Sequence, residues 1–287
     1  MDQILAFLPT LFGTVLNFIN HTVGNYGLSI IIFTILIRLI IFPLTIKQLQ
    51  SAAKTQELQP KLAEIQERYK NDKEKLGQEQ MKLYKEEGVN PLGGCLPILV
   101  QMPILISLYN AFSYPLTYQL NQHAFTLTEE FKKLNLGNFA QLTYVNQHPE
   151  QYGFNFNFLG INLGATPDLN VSSAAFLTVE NMLLLLLVLI ATGLTFFSMK
   201  LTMKRPNQPA LKPAKDGKDQ MKQMNKTMLF MLPAMTLFFG ISFPGGLTLY
   251  WATGYVIQIF QQLAINKWFH GRKKDVVLPA VGDTTTK

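Results

Sequence analysis

Residues 227–266, TMLFMLPAMTLFFGISFPGGLTLYWATGYVIQIFQQLAIN, decide the fold class, because these 40 residues include no Asp, Glu, Lys or Arg. A helix that crosses the hydrocarbon core of a bilayer needs about 20 predominantly apolar residues. Pro244, Gly245 and Gly246 interrupt the stretch with residues that favour turns. The stretch therefore predicts two transmembrane helices, over residues 227–242 and 247–266.

Three other apolar regions have the same character. Charged residues are missing between Gly88 and Thr128 and between Asn181 and Met199, and a further apolar run follows Asn25. The chain is 48% hydrophobic and 15% charged, whereas soluble domains are about 25% charged. These regions predict transmembrane helices over residues 26–46, 93–112 and 181–199. The fold class is therefore an all-α polytopic membrane protein with five transmembrane helices.

Lys and Arg are distributed unequally between the predicted connecting segments. Of the 25 basic residues, 22 lie in residues 47–87, 200–226 and 267–287, and two lie in residues 1–25 and 113–180. Connecting segments that are rich in Lys and Arg remain on the cytosolic side of the membrane. This distribution predicts an N-terminus outside and a C-terminus in the cytosol.

The segment before the first predicted span, residues 1–25, has two interpretations. Its apolar run, Ile4–Phe18, lacks the basic residues that open a secretory signal, since Asp2 is the only charge before it. The run forms either an amphipathic helix on the outer surface or an additional span. We favour the surface helix, because a cytosolic start would carry no positive charge.

Residues 47–91 are predicted to form a cytosolic helical hairpin. One helical face is indicated by the spacing of four apolar residues, Leu58, Leu62, Ile65 and Tyr69. Asn71-Asp72 offers a break before a second helix over residues 73–87, and Pro60 is expected to kink the first helix. The alternative is a solvated spacer, but a spacer would not need an apolar stripe.

The other connecting segments indicate less structure. Residues 113–180 are expected to form an outer loop with one amphipathic helix around residues 128–139. Residues 200–226 form a cytosolic loop in which Lys204–Asp219, rich in Pro, Lys and Gly, is expected to be flexible. Residues 267–287 form a basic cytosolic tail.

Arg38 is the charged residue inside a predicted span that needs an explanation. It lies 12 residues after Tyr26, which is about 18 Å along a helix and near the middle of the bilayer. An arginine at that depth costs roughly 2.5–3.5 kcal/mol on insertion scales, and no Asp or Glu occurs in any predicted span. Arg38 either extends to the headgroups or faces a hydrated cavity, which Thr34 and Gln101 could line. Such a cavity would attract anionic or acidic cargo.

Several motifs make the chain similar to a known family. GVNPLGGCLPILVQMPILIS at residues 88–107, ILIRLIIFPLT at residues 35–45 and FPGGLTLYWATGYVIQIFQQL at residues 243–263 resemble the YidC-type membrane protein insertases (the YidC/Oxa/Alb family). The resemblance covers residues 20–115 and 180–268. The chain resembles the compact form of this family, without a large outer domain.

The resemblance implies a function and a site. It implies an insertase in the bacterial cytoplasmic (plasma) membrane, with a hydrophilic groove that is open to the cytosol and to lipid. Arg38 and Thr34 correspond to its polar groove positions, and Phe239, Trp251 and the adjacent Tyr250 to its contacts with substrate helices. The implied partners are nascent membrane proteins, the ribosome or signal recognition pathway, the Sec translocon and the lipid bilayer, with no DNA.

Other functional classes find little support in the residues. The chain has no Walker loop, GxSxG or HExxH motif, its one cysteine is Cys95, and its four histidines lack ligand spacing. The sequence therefore predicts no catalytic residues, no metal and no cofactor. An anion transporter that uses Arg38, an intramembrane enzyme and an assembly factor remain as alternatives.

Overall fold

The computed structural model describes residues 2–89, 96–122, 126, 128–134, 136–203 and 215–275, and most of them are helical. We number the elements in chain order. They are α1 Asp2–Val23, α2 Tyr26–Glu57, α3 Gln59–Arg68, α4 Lys73–Glu86, α5 Leu96–Ser113, α6 Pro115–Tyr118, α7 Glu129–Lys133, α8 Ala140–Gln147, α9 Pro149–Tyr152, β1 Asn157–Phe158, β2 Ile161–Asn162, α10 Val179–Met203, α11 Lys215–Ser242 and α12 Gly245–Asp275.

Within the described part of the chain, two helices are long and apolar enough to cross a membrane. They are Tyr26–Gln48 within α2 and Val179–Thr202 within α10, while Leu229–Ser242 of α11 is a shorter apolar helix. Each of the five predicted spans coincides with a helix, except that residues 93–95, with Cys95, lie outside the described part of the chain. The helices extend beyond the predicted spans, because a helix does not need to end at the membrane boundary.

The helices pack around α12. It contacts α2, α5, α10 and α11, and α10 also packs along α11. A Cβ built on Gly240 of α11 would stand 2.9 Å from Cγ1 of Val188 in α10. The missing side chain therefore lets these two helices approach closely, as is common in membrane helix packing.

Residues 47–91, which we call the cytosolic hairpin after their predicted side, include two described helices, α3 and α4, that pack on each other. Leu58, Leu62, Leu83 and Val89 form a small buried cluster, separate from the main core. At Pro60 the helix is interrupted rather than kinked: α2 ends at Glu57, and Pro60 lies in the first turn of the new helix α3. A proline is tolerated there because the first turn of a helix has no internal hydrogen bonds for its N–H groups.

The predicted cytosolic loop, residues 200–226, also differs from its expectation. Residues 215–219, expected to be flexible, already belong to α11. Residues 204–214 of that loop and residues 276–287 of the basic tail lie outside the described part of the chain.

Residues 113–180, which we call the outer segment after their predicted side, are more structured than expected. Their described residues include four short helices and an antiparallel hairpin in which Asn157 pairs with Asn162. The expected helix around residues 128–139 is limited to Glu129–Lys133. Such short elements depend on tertiary packing, and this segment contributes Leu142, Phe154 and other buried residues to the main core.

The outer segment satisfies the free N–H groups at the starts of two helices. The Tyr26 N–H donates to the Asn155 carbonyl oxygen at 3.0 Å, and the Gly245 and Gly246 N–H groups donate to the Ala165 and Leu163 carbonyl oxygens at 2.9 and 2.8 Å. Helix starts leave four such donors without partners in the helix. The outer segment therefore closes one end of the bundle by hydrogen bonding.

The N-terminal helix α1 packs on α2, α5 and α6. Phe12 and Leu16 are buried, whereas Phe7 and Phe18 are exposed. A Cβ on Gly13 would stand 2.3 Å from the Tyr118 carbonyl oxygen. Helix α1 thus has one face in the core and a second apolar face outside it.

Candidate functional site

Arg38 lies in α2, and its side chain crosses to α12. A Cβ built on Gly254 would stand only 2.7 Å from Nη2 of Arg38, so the guanidinium occupies the space that a side chain at position 254 would need. The Arg38 side chain is half-buried. Among the described residues, no carboxylate lies within ion-pair distance of it. The positive charge is therefore held against the backbone of α12 without an acidic counter-ion.

Tyr250, one helical turn before Gly254 on α12, is linked both to this charge and to Gln101 of α5. The Gln101 side-chain amide donates to the Tyr250 hydroxyl at 3.4 Å, which joins α5 to α12. The Tyr250 hydroxyl is close enough to Arg38 for an electrostatic interaction. Tyr250 itself is 2% exposed. Three of the predicted site residues are thus brought together on three different helices.

Thr34 does not lie on an accessible surface. It is fully buried, and its hydroxyl donates to the Ile30 carbonyl oxygen of its own helix at 2.6 Å. Such a bond is a common way to satisfy a buried threonine in a helix. Thr34 is one turn from Arg38, but its hydroxyl is committed to the α2 backbone.

Phe239 and Trp251 form part of an apolar pocket of about 200 Å³ between α5, α11 and α12. Their ring centroids are 6.1 Å apart, and Phe239 stacks on Phe243 at 5.3 Å. The other lining residues are Leu105, Ile106, Tyr109 and Leu247. The pocket is smaller than a typical ligand site of about 300–1,000 Å³, so it suits a few apolar side chains rather than a whole helix.

Two glutamines on the same face of α12 as Gly254 were missed from the sequence. Gln258 and Gln261 follow Gly254 by 4 and 7 residues, which places all three on one face of α12. Gln261 Oε1 is buried and has no hydrogen-bond partner within the described part of the chain. The spacing of Gln258 and Gln261 from Gly254 can be read from the sequence. Only the contact between Gly254 and Arg38, however, separates this face of α12 from its other faces.

A family model described as 60Kd inner membrane protein matches residues 18–273. The chain belongs to this family. The matched range includes all the residues placed around Arg38 and around the apolar pocket. The predicted resemblance to YidC-type insertases is confirmed, and the 60Kd inner membrane protein family places this chain in the bacterial inner membrane as a multi-pass, non-enzymatic protein.

Curated relatives in the 60Kd inner membrane protein family differ in length. Membrane protein insertase YidC 2 of Listeria innocua is 34% identical over 261 residues, which are 90% of this chain and 69% of the relative. Membrane protein insertase YidC of Oceanobacillus iheyensis is 36% identical over 254 residues, 87% of this chain and 77% of the relative. The protein of that name from Chlorobaculum parvum is 35% identical over 252 residues, which are 88% of this chain but only 35% of the relative.

Proposed function

We propose that this protein inserts hydrophobic segments of other proteins into the membrane through a polar groove that contains Arg38. The observation that carries the proposal is the Arg38 guanidinium, held against Gly254 of α12 without an acidic partner among the described residues. A charged side chain inside the membrane costs free energy, so its presence there indicates a functional site. The names of the relatives, all membrane protein insertases, indicate the same activity.

The proposed topology has five spans, which belong to α2, α5, α10, α11 and α12. The 22 basic residues of residues 47–87, 200–226 and 267–287 support a cytosolic position for the hairpin, the loop and the tail. In this orientation Gln258 and Gln261 lie between Arg38 and the cytosolic end of α12. They extend the polar path from the cytosol towards the charge, whereas the outer segment closes the opposite end.

The first step of the proposed mechanism is electrostatic. A short acidic tail of the substrate enters from the cytosol and is attracted by Arg38, because two opposite charges interact more strongly where water is scarce. A membrane potential that is positive outside contributes about 2.3 kcal/mol per 100 mV for each negative charge moved outward. Arg38 therefore lowers the barrier for the tail, and tight binding is not required.

The second step moves the apolar segment into lipid. The pocket of Phe239, Trp251 and their neighbours accepts apolar side chains of the substrate one or two at a time. Burial of apolar surface in the bilayer then supplies about 25 cal/mol per Å². No covalent step occurs.

The cytosolic hairpin is proposed to receive incoming chains. Its own buried cluster gives it a structure independent of the bundle core, and α3 packs against α11. In this position the hairpin can receive chains delivered by the ribosome or the signal recognition pathway. The protein can then work alone or beside the Sec translocon.

The proposal is tested with purified protein in vesicles and a single-span substrate with an acidic outer tail. Insertion is measured by protection of the tail from external protease. We expect Arg38→Ala to reduce insertion several-fold and Arg38→Lys to retain most of it, because lysine keeps the charge. A substrate with a neutral tail is the control and should respond weakly to both changes. Equal insertion by Arg38→Ala and the unchanged protein would contradict the proposed role of the charge.

A further inference from the structure

The hairpin of β1 and β2 ends in an unusual turn. Leu159 has φ +52° and Gly160 has φ +79°, so both turn residues have left-handed backbones. Such turns favour Asn, Asp and Gly, and a leucine with positive φ is rare. The Leu159 side chain is nevertheless 80% exposed. An apolar side chain is thus retained on a strained and exposed turn, where a polar residue would suit both the backbone and water.

The hairpin is held firmly on its other side. The Asn25 side-chain amide donates to the Asn157 carbonyl oxygen at 3.0 Å, and the Leu163 N–H donates to the Phe156 carbonyl oxygen at 2.9 Å. Rings of Phe154 and Phe156 pack on Tyr26 in the core. A strained residue persists where its surroundings fix the conformation, and these contacts fix the position of Leu159.

The turn lies level with the first turns of the two helices that are apolar enough to cross a membrane. The Phe158 ring occupies the space beside Gly27 of α2, and a Cβ on Gly160 would stand 3.4 Å from Cδ1 of Leu183 in α10. Gly27 and Leu183 both lie within the apolar ranges Tyr26–Gln48 and Val179–Thr202. The tip of the hairpin therefore reaches the depth at which these helices enter the bilayer.

The two helices that the hairpin touches carry exposed apolar side chains beside Gly27 and Leu183 in the sequence. Leu28 of α2 is 44% exposed, and Met182 and Leu186 of α10 are 38% and 49% exposed. In a multi-pass membrane protein such helix surfaces face lipid. The exposed Leu159 lies between Phe158, which contacts α2, and Gly160, which lies against α10, and so it stands close to these helix surfaces.

We propose that Leu159 inserts into the lipid leaflet at this end of the bundle and anchors the outer segment there. The occupant is the acyl region just below the headgroups, because an exposed leucine gains free energy by leaving water for lipid. Under the proposed topology this is the outer leaflet. The anchor lies at α2 and α10, whereas the apolar pocket is lined by α5, α11 and α12. It would hold the outer segment in place while a substrate moves past the pocket.

The depth of position 159 can be measured directly. Leu159→Cys is made in a Cys95→Ser background, labelled with an environment-sensitive fluorophore and reconstituted in phosphatidylglycerol–phosphatidylethanolamine vesicles. We expect brominated lipids to quench the label several-fold more than iodide in the water does. Gln151→Cys, an exposed polar position of the outer segment, is the control and should show the reverse. A label at position 159 that responds to iodide as strongly as the control would overturn the proposal.

A second measurement separates anchoring from backbone strain. Asn suits a left-handed backbone, so Leu159→Asn relieves strain but removes the apolar side chain. We expect faster hydrogen exchange of residues 155–165 in vesicles for Leu159→Asn and unchanged exchange for Leu159→Met. Slower or unchanged exchange in Leu159→Asn would show that the side chain has no role in lipid. Both measurements are independent of insertase activity, so their result does not depend on the proposed function.

Discussion

The contact between Gly254 and Arg38 predicts the effect of one added methyl group. In Gly254→Ala, the new Cβ would lie 2.7 Å from Nη2 of Arg38, whereas ordinary contacts begin at 3.4 Å. The guanidinium must therefore retreat by about 0.7 Å, because the α12 backbone is fixed by its helical hydrogen bonds. We expect the change to move the charge without removing it.

The size of the effect follows from the side-chain conformation. The guanidinium is the far end of a flexible side chain, so its retreat costs no more than one torsion turned ~30° off its rotamer, which is about 0.5–1.5 kcal/mol. If insertion needs the guanidinium at its original place, it slows by up to about tenfold. Alanine is a better helix former than glycine by about 1 kcal/mol, so the helix itself should not be weakened.

The assay is the protease-protection measurement with the acidic-tailed substrate, and α10 offers a matched control. A Cβ on Gly193 would meet no atom within 4 Å, so Gly193→Ala makes the same chemical change in a transmembrane helix without displacing any group. We expect Gly193→Ala to insert substrate at the normal rate and Gly254→Ala to be slower.

A double-mutant cycle tests the cause. The methyl group acts through the guanidinium, so Gly254→Ala should have no further effect when Arg38 is already alanine. If Gly254→Ala inserts substrate as fast as Gly193→Ala, Arg38 is not held where it functions. If it slows insertion equally with and without Arg38, the methyl group acts on packing and the reasoning is refuted.

Three further predictions concern stability. Gly13→Ala should lower the free energy of unfolding by about 1–3 kcal/mol, because the new Cβ would overlap the Tyr118 carbonyl oxygen and overpacking has a cost of that size. In the control Gly77→Ala the new Cβ would meet no atom within 4 Å. Equal melting curves for the two variants would contradict the prediction. Asn181→Ala should lower the free energy of unfolding by roughly 2–4 kcal/mol, because it removes three partly buried side-chain hydrogen bonds at about 1 kcal/mol each. A loss below about 0.5 kcal/mol in thermal unfolding, the usual range for surface changes, would show that water replaces these bonds. The hydrogen bond and charge of Glu87 raise the pKa of Lys61 above its usual 10.5. The pair should therefore stabilise the cytosolic hairpin below about pH 10.5, and this stabilisation should be lost as the pH rises through the raised pKa. Spin-label distances between α3 and α4 that stay unchanged at high pH, or in Glu87→Gln, would argue against this role of the pair.

The sequence predicted the helical membrane class and the family because its signals are local. A charge-free run such as residues 227–266 is long enough for membrane helices whatever surrounds it. The two helices of the cytosolic hairpin were predicted from apolar spacing, which describes one helix at a time. The unusual position of Arg38 was also evident, since its depth depends only on its distance from the helix ends.

Predictions that depended on neighbouring elements were less successful. The outer segment was expected to be mostly loop, because helices of 4 to 8 residues such as α6 and α8 carry too few turns for a clear period and depend on packing for stability. Thr34 was placed in the groove from its spacing to Arg38, but spacing does not reveal that its hydroxyl is buried and bonded to Ile30.

The amino-acid sequence by itself determined which segments are apolar helices, where Arg38 lies along its helix and to which family the chain belongs. Only the tertiary structure decided what each polar group touches. Gly254 could have been any small residue of a membrane helix until α12 packed against α2 and brought it to the Arg38 guanidinium. The physical reason is that hydrophobicity and helical period are properties of neighbouring residues in the chain, whereas a contact between residues far apart exists only when the packing of whole helices creates it.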